Sequence, residues 1–146
     1  RALNFSRPWP GHDEQNPRFF FAPWDYDGTF GRNWDASQVD PTAWLSNRLF
    51  DRLLASPAWK ARLAARWKQL RERQFSVKTI QGMIDANART LGDAVQRNDT
   101  RWPSRNGPYP DKLSFSEDIV QMKSWIEARV KWLDGEIARR TGDLDR

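Results

Sequence analysis

Residues 19–31, FFFAPWDYDGTFG, run a continuous apolar stretch straight into two aspartates and two glycines. Burial is demanded at one end and polar chemistry at the other. Residues 19–24 have the length and composition of a strand buried on both faces. Side chains at i and i+2 of an extended backbone share one side, so Asp25 and Asp27 can face a common cavity. Two carboxylates alone there would repel. A divalent cation removes that penalty, and Mg²⁺ or Mn²⁺ suits hard oxygen ligands of this kind, completed by the phosphates of a substrate. Gly28 and Gly31 follow at once and let the chain turn sharply and approach a ligand. The pattern fits metal-assisted phosphoryl transfer. Spacing alone leaves open the plainer alternative of an Asp27-Gly28 turn with Asp25 capping nearby backbone N–H groups.

The elements around this stretch divide the chain in two. Leu3-Asn4-Phe5-Ser6-Arg7 alternates apolar with polar and predicts a short strand, and PWPGHDEQNP (8–17) predicts the turn that follows it. Together with residues 19–24 they make a β-hairpin. Beyond Asp40 the pattern is helical. Asp40-Pro41 and Ser56-Pro57 each combine a capping side chain with a proline suited to the first helical position, and Ser76 and Ser116 are further candidate caps. Helices are thus predicted over 41–55, 57–73, 76–98 and 116–140. Ile119, Met122, Ile126, Val130, Leu133 and Ile137 form one apolar stripe on the last, and Ile80, Ile84, Leu91 and Val95 do so on the third. Three prolines and a glycine mark 98–112 as a loop. The expected fold is α+β and mostly helical, a single domain over 1–146, with a hairpin and metal-binding turn in 1–35 and a helical part in 40–146.

Charge and composition narrow the chemistry. Residues 1–40 carry four basic and six acidic side chains, whereas 41–146 carry twenty and thirteen, so the excess of positive charge lies on the helices. The arginines there alternate with apolar positions, as in AWKARLAARWKQLRER (58–73), which reads as solvated helix faces rather than a nucleic-acid surface. The chain has no cysteine, which excludes thiolate metal sites, thiol nucleophiles and disulfides. No run approaches the ~18 apolar residues that a membrane span needs, so a soluble chain is expected.

WDYDGTFG, preceded by FFFAP and followed by LFDRLLASPAWKARLAARWKQL (49–70), resembles the C-terminal part of the CotH kinase family, bacterial proteins with an atypical protein-kinase-like fold named after a spore-coat kinase. The resemblance implies a kinase C-lobe fragment in which Asp25 ends a buried strand as a metal ligand, Asp27 is a second candidate, and Asn4 occupies the place of the kinase metal-binding asparagine. Tyr26-Asp27-Gly28 departs from the Phe-Gly that kinases place after the aspartate, which leaves open which aspartate meets which ion. It further implies ATP as co-substrate, Mg²⁺ or Mn²⁺ as cofactor, and a protein hydroxyl as acceptor. In the kinase pattern the catalytic aspartate stands five residues before the asparagine, upstream of Arg1, so no catalytic residue is expected within the chain and the fragment is expected to be inactive without the upstream half of its domain. Arg32 is a candidate phosphate contact and, with Asn33, alternatively a loop cap. The family implies a bacterial setting and leaves spore coat, cell surface and secretion open.

A rival from another class is a non-catalytic module binding glycans or proteins. Nine tryptophans could build an aromatic platform. Trp44, Trp59, Trp67, Trp125 and Trp132 fall in predicted helices and read as core, which leaves Trp9, Trp34 and Trp102 for ligand contact. A hydrolytic site on His12 and Asp13 has no serine placed as nucleophile and reads as an exposed turn. A hairpin without its upstream lobe exposes apolar surface, so the isolated chain is expected to self-associate. A sharp thermal transition of a monomer, independent of concentration, would count against this.

Overall fold

Short polar side chains set where each helix begins. In the computed structural model, which describes residues 29–33, 35–44, 46–103 and 113–142, Asn47 accepts from the backbone of Leu49 at 3.0 Å and Phe50 at 3.1 Å and starts α1, Arg48–Leu54. Ser56 caps Trp59 at 3.4 Å, and Pro57 opens α2, Pro57–Arg71. Ser76 accepts from Thr79 at 3.1 Å ahead of α3, Val77–Leu91. The short α4, Ala94–Arg101, follows, and α5, Phe115–Thr141, is the longest at 27 residues. The chain is mostly helical, with five helices and one isolated antiparallel bridge, Arg32 to Gln38, among the described residues. The expected N-terminal hairpin lies outside those residues.

Three predicted boundaries are corrected. The first helix starts at 48 rather than 41, since the Asp40 carboxylate takes the Thr42 N–H and hydroxyl, both at 2.7 Å, and closes a turn instead of a cap. The carbonyls of Pro41 and Ala43, which a helix from 41 would use, accept instead from Arg129 at 2.6 Å each. Trp44 consequently precedes α1 rather than lying within it. The third helix is two: Gly92, at φ +44, ends α3, and Asp93 leads into α4 without a side-chain cap. Val95 thus belongs to α4, Leu91 is 49% exposed, and helix continues through 98–101 where a loop is predicted. The cap of α5 is Ser114, not Ser116. Ser114 and Glu117 form a reciprocal capping box, the Ser-x-x-Glu spacing that Ser116 lacks.

α5 is the spine. Its apolar stripe supplies the buried hydrophobic side chains among the described residues, Ile126, Val130 and Ile137, while α2 and α3 pack against it and α1 packs on α2. Polar links reinforce both seams. Asp134 accepts from Trp67 Nε1 at 2.8 Å and from Arg71 Nε and Nη2 at 2.8 and 3.1 Å. Such a charge-assisted, two-pronged contact fixes the register between α2 and α5. On the other side Lys123 pairs with Asp85, and Gln81 donates to the Lys123 carbonyl at 3.5 Å, joining α3 to α5. No helix among the described residues is long and apolar enough to cross a membrane.

At the C-terminal end of α5, Glu136 receives Arg139 through Nε at 2.9 Å and Nη2 at 2.6 Å, and Arg140 through Nε at 2.5 Å. The Arg139 hydrogen bonds foremost, then that from Arg140, bring its carboxyl down from the ordinary 4.5 to about 2. A depressed folded-state value means that the stabilisation is fully present above the unfolded value near 4.5 and is lost as pH falls through about 2. A carboxyl-carbon NMR titration should place the Glu136 midpoint near 2 and show it rising toward 4.5 in Arg139→Ala.

Candidate functional site

The segment that follows the Asp-x-Asp-Gly stretch closes into a small loop. Val39 N–H donates to the Gly31 carbonyl at 3.0 Å, Asn33 N–H to the Ser37 carbonyl at 2.9 Å, and Ala36 N–H to the Asn33 carbonyl at 3.0 Å. Asp35 tightens the tip by accepting from the Ser37 hydroxyl at 2.6 Å and its N–H at 3.0 Å, and these bonds hold its carboxyl below the usual range. Closing so tightly takes left-handed backbone at Phe30 (φ 57), Gly31 (φ 97) and Ala36 (φ 64). For the two non-glycine residues that conformation costs roughly 1–3 kcal/mol each, so surrounding contacts must hold it.

Those contacts come from one stripe of α5. Asp118, Gln121, Trp125 and Arg129 succeed one another at steps of three, four and four, which puts them on a single helix face. Asp118 pairs with Arg32, and Gln121 Nε2 donates to the Gly31 carbonyl at 3.4 Å. Trp125 Nε1 donates to the Val39 carbonyl at 2.7 Å. Arg129 Nη1 donates to the carbonyls of Pro41 and Ala43 while its guanidinium lies 5.9 Å from the Trp125 ring centre and 5.0 Å from that of Trp132. Burial lowers the Arg129 pKa and the Asp40 charge opposes this, yet an arginine keeps its proton, so the clamp is cationic. Below it Trp44 tilts against Trp132 at 6.4 Å, and the Arg140 guanidinium lies 4.2 Å over the Trp44 ring.

The residues singled out from sequence fall unevenly on this geometry. Asp25, Asp27 and Asn4 lie outside the described residues, as do His12, Asp13, Trp9 and Trp34. Among the described residues no group of three or more histidines, aspartates or glutamates could hold a metal ion. Arg32 faces Asp118, with Nη2 reaching the Ala36 carbonyl at 3.5 Å. Asn33 caps its own loop, its side chain donating to the Ser37 hydroxyl at 3.0 Å. Trp102 ends α4 at 69% exposed, 5.4 Å from the Arg101 guanidinium. The α5 stripe was not anticipated. Its signal was present as a second row of three- and four-residue steps, one position N-terminal to much of the apolar row.

A family model described as CotH kinase protein matches residues 7–133, a span that contains the Asp25-Asp27 stretch, the loop and the stripe that holds it. Neither the curated proteins nor the solved structures contain a match.

Gly31 is the point where the loop touches α5 most closely. A Cβ built there would lie 2.5 Å from Trp125 Cγ and 2.9 Å from Gln121 Nε2, at a φ that L side chains rarely adopt. Gly31→Ala should destabilise by about 1–3 kcal/mol through strain and displaced packing. Chemical denaturation measures that loss, and hydrogen exchange should show the Val39 amide losing protection before those in α2 and α5.

Proposed function

The chain belongs to the CotH kinase family, and from that membership we propose that it forms the metal-holding part of a kinase transferring phosphate from ATP to protein hydroxyls. The observation that carries this reading is the family match over residues 7–133, which takes in both aspartates of the Asp-x-Asp-Gly stretch. The donor set is consistent with it: Asp25 and Asp27 offer carboxylates and Asn4 an amide oxygen, all hard ligands of the kind Mg²⁺ and Mn²⁺ take. Asn4 stands ahead of the matched residues and rests on its resemblance to the kinase asparagine. An ion held by Asp25, Asp27 and Asn4 would supply positive charge to offset that of the ATP phosphates.

In this reading Asp25 and Asp27 hold the ion and Gly28 gives the backbone freedom after them, while the loop from Gly31 is held by α5. Within residues 1–146 no aspartate is assigned to orient the acceptor hydroxyl. Arg32, proposed as a phosphate contact, would have to serve the phosphate alongside Asp118 or in exchange for it. Its guanidinium has a planar fork of donors suited to either partner. The alternative of a glycan- or protein-binding module has the exposed Trp102 beside Arg101 as its structural support.

Phosphate transfer measured on the intact protein with Mn²⁺ separates the two. Asp25→Ala should lower the rate by roughly 100-fold or more, the scale of losing charge stabilisation at a transferring phosphoryl group. An unchanged rate removes Asp25 from the mechanism. Glycan binding that disappears in Trp9→Ala and Trp34→Ala and ignores Asp25→Ala favours the module.

A further inference from the structure

We propose that the solvent face of α2 is a docking surface for an acidic polypeptide segment. The helix, PAWKARLAARWKQLR, carries five bases and no acid. One of the five is used inside the fold, since Arg71 reaches across to Asp134 on α5. Lys60, Arg62, Arg66 and Lys68 have no ion pair among the described residues, and all but the half-buried Lys60 are exposed. Bases on several other segments find acids within the chain: Arg32 takes Asp118, Lys123 takes Asp85, and Arg139 and Arg140 share Glu136. On α2 the positive charges instead crowd one another, Arg62 and Arg66 standing at the four-residue spacing where like charges repel. An acidic partner removes that repulsion as it binds.

The shape of the face suits such a partner. Arg62 and Arg66 border a shallow hollow of about 830 Å³ that Trp59 and Gln69 also line. Gln69 Oε1 accepts from Arg66 Nη1 at 2.5 Å and so orients one guanidinium at its edge. Lys60 and Lys68 line a second hollow of about 780 Å³, between α2 and the end of α5 at Thr141 and Gly142, and Ala65 belongs to both. At 1.5 Å per residue, Arg62 and Arg66 lie about 6 Å apart along the axis and Lys60 and Lys68 about 12 Å. Carboxylates four apart on a helix repeat at about 6 Å, and those two apart on an extended strand at about 7 Å, so either form of acidic segment can meet both guanidinium forks. A lipid surface fits less well. The large apolar side chains that stand exposed among the described residues all lie off α2, and an interfacial helix needs them. Single-stranded nucleic acid calls for open aromatic faces, and Trp59 is half-buried.

Binding is measured on the full chain without nucleotide or metal, so the outcome is independent of the kinase reading. The probe is a fluorescein-labelled peptide with glutamates four apart in an alanine background, followed by anisotropy beside its glutamine counterpart. The glutamate peptide should bind and the glutamine peptide should not, and the affinity should fall as NaCl rises from about 0.05 to about 0.5 M and shortens the Debye length. Arg62→Ala combined with Arg66→Ala should weaken binding roughly tenfold, the scale of two exposed charge pairs. Arg89→Ala combined with Arg97→Ala removes the same charge from α3 and α4 and should leave the affinity at the wild-type value. Circular dichroism checks helix content, and where the alanine pair on α2 loses it, Arg62→Gln with Arg66→Gln takes its place. Three results overturn the proposal. A wild-type chain that ignores the glutamate peptide has a merely solvated face. An equal loss in the α3 and α4 control reduces the effect to net charge. Tighter binding of phosphatidylserine vesicles or of an oligothymidylate than of the peptide, lost with Arg62 and Arg66, gives the face to a different class of partner.

Discussion

Arg129 is the group on which the non-helical part of the described structure depends. One nitrogen of its guanidinium collects the carbonyls of Pro41 and Ala43, and its plane lies near the rings of Trp125 and Trp132. Hydrogen bonds to a charged donor contribute about 1.5–3 kcal/mol and a partly desolvated cation–π contact about 0.5–2 kcal/mol, against the cost of taking the cation from water. The net is modest, but its placement matters more than its size. Those carbonyls accept from Arg129 while residues 41–44 stay outside helix, and α1 begins after its cap at Asn47.

Much of the helical assembly is joined the same way, by polar groups at chosen points on a thin apolar seam. Ile126, Val130 and Ile137 are the buried hydrophobic side chains among the described residues, all on α5. Around them Asp134 gathers Trp67 and Arg71 from α2, and Lys123 meets Asp85 from α3. Partly exposed ion pairs add little stability each, yet they are directional and so specify register where a small core leaves it free. An adjacent face of α5 carries Asp118, Gln121, Trp125 and Arg129 to the loop. One helix thus serves both as core and as scaffold for the loop at residues 31–39.

How much of this could be read from residue order depends on the range of the interaction concerned. Ser56-Pro57 announced α2, and the row from Ile119 to Ile137 announced α5 and its buried face, because caps and helical periodicity are settled within a few residues. Local rules also misled where a distant partner competed. Asp40-Pro41 has every feature of a helix start, and Arg129, 88 residues from Pro41 in sequence, takes the carbonyls that the helix would need. Gly92 divided a helix that the apolar row alone would have carried through. At the candidate site, the stretch around Asp25 and Asp27 was legible as a family resemblance, while the α5 stripe that secures the neighbouring loop was not, since nothing near Gly31 names Trp125.

Residue order by itself determined the family and the helical character of the chain. Each follows from side-chain type and spacing within a short window. Tertiary structure alone decided that Gly31 must be glycine for want of space beneath Trp125, that Arg32 faces Asp118, and that Trp44 stacks under Arg140 outside any helix. The physical reason is that these are contacts between groups about ninety residues apart, and only the packed spine of α5 brings them within reach.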